Sequence, residues 1–187
     1  MSTVLNTLAD FGFANTLWVL SILFIIHELE EWNIARVERR NYIDAPPTMT
    51  DRNARVWIAV ACVIALVWCA VAAIPGSPIT AAYVFMPAIF IMLTNSIQHV
   101  YWTIRFKHYS PGVISATALL IPASGIIIAL ALRQEYVSIL YVAALSAVLV
   151  LVVVNTARLG RKTPSIIRAV YGIGARVSGV FGKQTSA

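Results

Sequence analysis

Charge is what this chain has least of. Asp, Glu, Lys and Arg make up 12% of its 187 residues, against 59% hydrophobic residues. A soluble domain carries about 25% charged residues. A water-exposed globular surface is therefore excluded, and the chain reads as an integral membrane protein governed by lipid rules. Cysteine is nearly absent too. Cys62 and Cys69 share one apolar stretch and would stand about 10 Å apart along a helix, beyond disulfide reach. They read as buried apolar residues and say nothing of redox compartment. There is no CxxC motif, no phosphate-cradling glycine loop and no nucleophile elbow. No basic segment precedes the first apolar run, which ends in charge rather than in small residues. A removable signal peptide is not expected.

Long apolar runs are what the chain does have. Five approach the roughly 20 residues a bilayer crossing needs: 11–26, continuing as a helix to near residue 40, then 56–74, 79–104, 112–132 and 136–154. "PGSP" at 75–78, "KHYSPG" at 107–112 and "RQE" at 133–135 connect them, and "NYIDAPPTMTDRN" forms a proline-containing loop. Ser110 is expected to cap the fourth helix and Pro111 to be its first residue. Pro122 should kink that helix and free the carbonyl of Ala118. The expected class is all-α: a polytopic bundle over 1–157 and a basic tail over 158–187.

The net charge of +6 does not call for nucleic acid, because cytoplasmic loops of membrane proteins collect Lys and Arg. Arg36, Arg39, Arg40, Arg52 and Arg55 fall between the first two spans, Arg105 and Lys107 between the third and fourth, and six more in the tail. In a five-span topology all thirteen share one side, and only Arg133 falls on the other. The positive-inside rule then puts the N-terminus outside and the C-terminus in the cytoplasm. In the tail, Ile166, Val170, Ile173, Val177 and Val180 recur at helical spacing, with Arg168, Arg176 and Lys183 on the opposite arc. That pattern fits a helix lying on anionic lipid. Four glycines leave a partly ordered basic tail as the alternative.

Ionisable groups inside a span cost about 2.5–3.5 kcal/mol each and are functional hypotheses by default. "HELEE" (27–31) places His27, Glu30 and Glu31 at i, i+3 and i+4, on one helix face, with Glu28 to one side. "TNSIQHVYW" places Asn95 and His99 at i and i+4 on the third span, flanked by Gln98 and Trp102. The first and third spans run in the same direction, and both polar faces fall in the cytoplasmic half. If they meet, they form one buried cluster. His108 joins it only if the chain bends after Arg105.

Imidazole and carboxylate at i, i+4 are a natural pair of divalent-metal ligands, and another His would leave a position open for water. The metal set expected is His27, Glu31, His99 and His108, holding zinc or iron. Glu30, Glu31 and Asn95 are the expected catalytic groups, with a carboxylate as general base and Asn95 orienting a ligand or polarising a carbonyl. Without metal, adjacent carboxylates would split into an acid and a base beside the histidines. A purely structural alternative pairs Glu28 and Glu31 with Arg36, Arg39 or Arg105 and leaves Asn95 and His99 as interhelical glue.

"HELEE", "NSIQH" (95–99) and "YSPGVISA" (109–116), in this order on five spans, resemble the HXXEE domain family of small bacterial membrane proteins. The resemblance covers roughly residues 15–130. It implies a membrane-embedded enzyme of unassigned chemistry with His27, Glu30, Glu31, Asn95 and His99 as its site, in the bacterial inner membrane. A looser similarity links the chain to the intramembrane proteases of prenylated proteins. It departs from them in the four residues between Glu31 and Arg36 and in its reversed Asn–His order, so only their way of activating water carries over.

The expected function is therefore a membrane metalloenzyme acting on a lipophilic small molecule in the bilayer, with hydrolysis as the reaction. The alternatives are a metal-independent isoprenoid or lipid cyclase or isomerase, and a small transporter or assembly factor.

Overall fold

A computed structural model of the protein describes residues 6–7 and 10–184, with side chains through residue 180. Its secondary structure is helical, with no strand among the described residues. Five helices are long and apolar enough to cross a membrane: α1 (Phe13–Glu30), α3 (Asp51–Ala73), α4 (Pro78–Phe106), α5 (Val113–Arg133) and α6 (Ile139–Leu159). A short α2 (Ile34–Asn41) follows α1, and α7 (Ser165–Gln184) closes the chain.

Local chemistry sets the boundaries. Thr50, Ser77 and Ser138 cap α3, α4 and α6, each accepting a backbone N–H from three residues on. Pro78 occupies the first turn of α4, where a missing N–H costs nothing. Thr16, Ser21 and Ser96 turn their hydroxyls back onto their own helix, to the carbonyls of Phe13, Leu17 and Met92. This is how a hydroxyl is satisfied in an apolar bundle.

Two boundaries differ from the sequence expectation. The first helix does not run on to residue 40. It ends at Glu30, turns through 31–33, and restarts as α2. Ser110 does not cap α5, and Pro111 is not its first residue. Gly112, at φ 94°, occupies the cap position, and Val113 begins the helix. Just before Pro122, residues Ala116–Leu120 wind as a π-turn, and Ile121 N–H donates to Ala116.

Packing centres on α4. Leu17, Leu20 and Phe24 of α1, Phe85, Met86 and Ile89 of α4, and Leu120, Ile127 and Leu130 of α5 form one buried core. On α3 the inward stripe is small: Ala61, Ala65, Cys69 and Ala72. Small residues let helices approach closely where lipid offers no hydrophobic driving force. Both cysteines are free. α6 packs on α4 through Gln98–Thr156 and Tyr141–Tyr83 and is otherwise turned outward.

A second, smaller core lies at the end of the bundle where α2 and α7 meet. It contains Ile34, Ala35, Tyr42, Met49, Ala54, Trp102, Ile167 and Tyr171. The face α7 buries is Ile167, Tyr171, Gly174 and Ser178, not the apolar stripe read from the sequence. Of that stripe, Ile166, Ile173 and Val180 remain exposed. The side chain of Lys183 lies outside the described residues.

Candidate metal centre

His27 sits one turn before the end of α1, and Glu31 follows it at the helix C-cap, so the i, i+4 spacing survives the chain turn. His99 and Asn95 come from the facing side of α4. The two polar faces meet. His27 Nε2 lies 2.9 Å and His99 Nε2 2.8 Å from the same oxygen, Glu31 Oε1. The imidazoles stand edge to face, with centroids 5.1 Å apart and planes at 85°. Both histidines are fully buried and Glu31 is 7% exposed. Asn95, half-buried, holds its amide nitrogen 3.1 Å from His27 Nε2 and 3.3 Å from Glu31 Oε1.

Among the described residues, His27, Glu31 and His99 are the group whose ligand atoms cluster closely enough to hold a metal ion, all within 4.8 Å of one another. Two further observations fit a cation. First, His99 Nε2 is buried and makes no aligned hydrogen bond, although Glu31 is so near. Second, a zinc ion at about 2.0–2.1 Å from each tetrahedral ligand separates the ligand atoms by roughly 3.3 Å. The two nitrogen–oxygen spacings, 2.9 and 2.8 Å, reach that value with shifts of about half an ångström.

The outer nitrogens are held as well. His27 Nδ1 is 2.9 Å from Ser115 Oγ, and His99 Nδ1 is 3.3 Å from Ser110 Oγ. Both serines are buried. Gly112 closes the site between them. A Cβ there would lie 3.0 Å from Cε1 of each imidazole and 3.1 Å from Glu31 Cγ. Burial on its own would raise the Glu31 carboxyl, but the imidazoles of His99 and His27 outweigh it and hold the group below the usual carboxylate range.

Two predicted residues stand elsewhere. Lys107 in the left-handed region (φ 54°) turns the chain after α4. His108 then bonds Asn41 Oδ1 at 2.7 Å and its neighbour's carbonyl at 3.1 Å, and it does not join the cluster. Glu30 faces the 109–115 segment. It accepts the phenol of Tyr109 (2.5 Å), the hydroxyl and N–H of Ser115 (2.5 and 2.8 Å) and the N–H of Ile114 (3.2 Å). That carboxylate is committed to four donors. Glu28, by contrast, is buried with one oxygen unpartnered.

Sequence reasoning read Ser110 only as a helix cap and missed Ser115 and Glu38. Glu38 is buried at the edge of the cluster and accepts a short hydrogen bond from the phenol of Tyr171 on α7. Burial raises its carboxyl to about 7, against the lowering effect of that hydrogen bond. The only sequence signal for it was its spacing, two helical turns beyond Glu31.

No curated protein and no solved structure matches the chain. Residues 18–127, more than half of it, match the family described as "Protein of unknown function with HXXEE motif". That span contains every group placed at the cluster above, and the chain belongs to the HXXEE family.

Proposed function

We propose that the protein is a membrane metalloenzyme in which His27, Glu31 and His99 hold one divalent cation, zinc or iron, and that it hydrolyses a lipophilic substrate drawn from the bilayer. The convergence of two imidazole Nε2 atoms from different helices on one oxygen of Glu31 carries the reading. Two nitrogens and one oxygen form the donor set of open catalytic zinc sites. A cation so held would polarise a carbonyl or lower the pKa of a bound water. Asn95 is the half-buried member of the cluster, which suits it to orient that water or a substrate carbonyl.

Metal content of the detergent-purified protein tests this. We expect about one divalent ion per chain, lost in His27→Ala and His99→Ala while the helical content is retained. For the reaction, reconstituted protein is incubated with an inner-membrane lipid extract in heavy-oxygen water. Label should enter a product that Glu31→Gln does not form. A second reading, metal-free acid–base catalysis on an isoprenoid or lipid, draws on spacings of 2.8–2.9 Å, which are also those of shared protons. Activity that survives complete metal removal would select it.

The same reading places the site near the cytoplasmic face of a bacterial inner membrane, with the N-terminus outside. Support comes from one end of the bundle. There Arg161 bonds the carbonyl of Asn41, and Ile43 N–H bonds that of Arg161. Asn41 meets His108, so the three basic segments gather together. α7 would lie on this face with exposed Ile166, Ile173 and Val180 toward lipid and Arg176 among anionic headgroups. Labelling of single cysteines placed at 160 and 76 in intact and opened cells checks the orientation. Only the first should require opening.

A further inference from the structure

We propose that Glu30 is a positioning residue. Acting through Ser115, it holds His27 as the Nδ1–H tautomer, so that Nε2 presents its lone pair to the cation shared with Glu31 and His99. This inference rests on the metal reading above and assigns the carboxylate of the HxxEE motif that the ligand set leaves unused.

A serine hydroxyl has one proton to give. Three acceptors could take that of Ser115: Glu30 Oε2 at 2.5 Å, His27 Nδ1 at 2.9 Å and the carbonyl of Gly112 at 3.3 Å. The nearest acceptor is the carboxylate, and charge-assisted bonds of this kind are short and strong. The proton therefore points to Glu30. His27 Nδ1, 2.9 Å from the same hydroxyl oxygen, can then only donate to it. With the proton on Nδ1, the neutral ring has a lone pair on Nε2, the atom 2.9 Å from Glu31.

The clamp is rigid because Glu30 is itself fixed. It accepts the N–H groups of Ile114 and Ser115 in the first turn of α5, which otherwise lack helical partners. Tyr109 adds a further bond. The end of α1 and the start of α5 are thus joined at the point where His27 needs its ring oriented. The spacing of the motif follows. Glu31, at i+4, reaches the inner nitrogen of His27 directly. Glu30, at i+3, governs the outer nitrogen through a serine from another helix. Ligating histidines are commonly oriented by a carboxylate on the far nitrogen, directly or through an intermediary, and losing it costs about 10–100-fold in metal affinity.

The test combines NMR of isotope-labelled histidine in metal-free protein with zinc titration. Wild-type His27 should show a protonated Nδ1. Ser115→Ala should move the ring to mixed tautomers and weaken zinc binding about 10–100-fold. Ser115→Thr, which keeps the hydroxyl, should restore both. The proposal is overturned if Ser115→Ala leaves the ring signature unchanged, if Nδ1 of wild-type His27 is bare, or if Ser115→Thr behaves like Ser115→Ala. Should wild-type protein bind no zinc, the metal reading fails. The tautomer of metal-free His27 still decides the clamp.

Discussion

The phenol of Tyr171 on α7 donates to the buried carboxylate of Glu38 on α2, and this bond ties the last helix to the rim of the His27–Glu31–His99 cluster. Burial raises the Glu38 carboxyl from 4.5 to about 7, so the folded protein holds a proton that the unfolded chain loses near pH 4.5. This contribution to stability is fully present below about pH 4.5 and is lost as pH rises through 7, by about 3 kcal/mol in all. Protease cleavage of the folded protein should accelerate between about pH 4.5 and 7. Glu38→Gln should flatten that dependence. Tyr171→Phe should weaken docking by about 1–3 kcal/mol at every pH, since it strands a buried acceptor.

Metal should stabilise the fold as well as serve the chemistry. A cation that binds only the assembled site contributes about 2.7 kcal/mol at a hundredfold excess over its Kd. Thermal unfolding in detergent should shift upward with added zinc and downward with chelator. His99→Ala should abolish the response, and an unchanged Tm in the wild type would count against a cation site.

Substitution of Gly112 should strain both the backbone and the cluster. Its φ of 94° disfavours any side chain, and a Cβ would press on both imidazoles and on Glu31. Gly112→Ala should cost about 1–3 kcal/mol in backbone strain and lower zinc affinity at least about tenfold through displacement of the ring donors. Gly76, also at positive φ but with open space around it, is the control. Its alanine variant should lose stability and keep the affinity.

Gly174 is where α7 meets α3. An added Cβ would stand 2.2 Å from the carbonyl oxygen of Asn53, which is backbone and cannot rotate away. Gly174→Ala should therefore detach α7, break the Ser178–Asn53 and Arg52–Ser178 bonds, and expose the 160–164 turn to protease. The metal content should persist, because none of the three ligands lies on α7.

Much of this protein was legible in its residues. Helices form wherever a run of apolar side chains exceeds what loops can hide, because lipid offers backbone N–H and C=O groups no partner. The five spans follow from that alone. His27, Glu31, Asn95 and His99 could be singled out for the complementary reason: polar groups inside such runs are costly, and helical spacing aligns them on a face.

What the chain could not disclose was which faces meet and how the connections turn. Left-handed Lys107 and Gly112 reverse the path after α4, carrying His108 off to Asn41 and bringing Ser110 and Ser115 to the imidazoles. Glu30 and Glu31 are adjacent carboxylates that no local pattern tells apart. Their roles separate only when α5 and the connection before it arrive and offer one of them four donors. Glu38 and Tyr171, 133 positions apart, find each other for the same reason. Spacing along a helix sets the direction of a side chain relative to its own axis, whereas its partner is chosen by the packing of other helices against that axis.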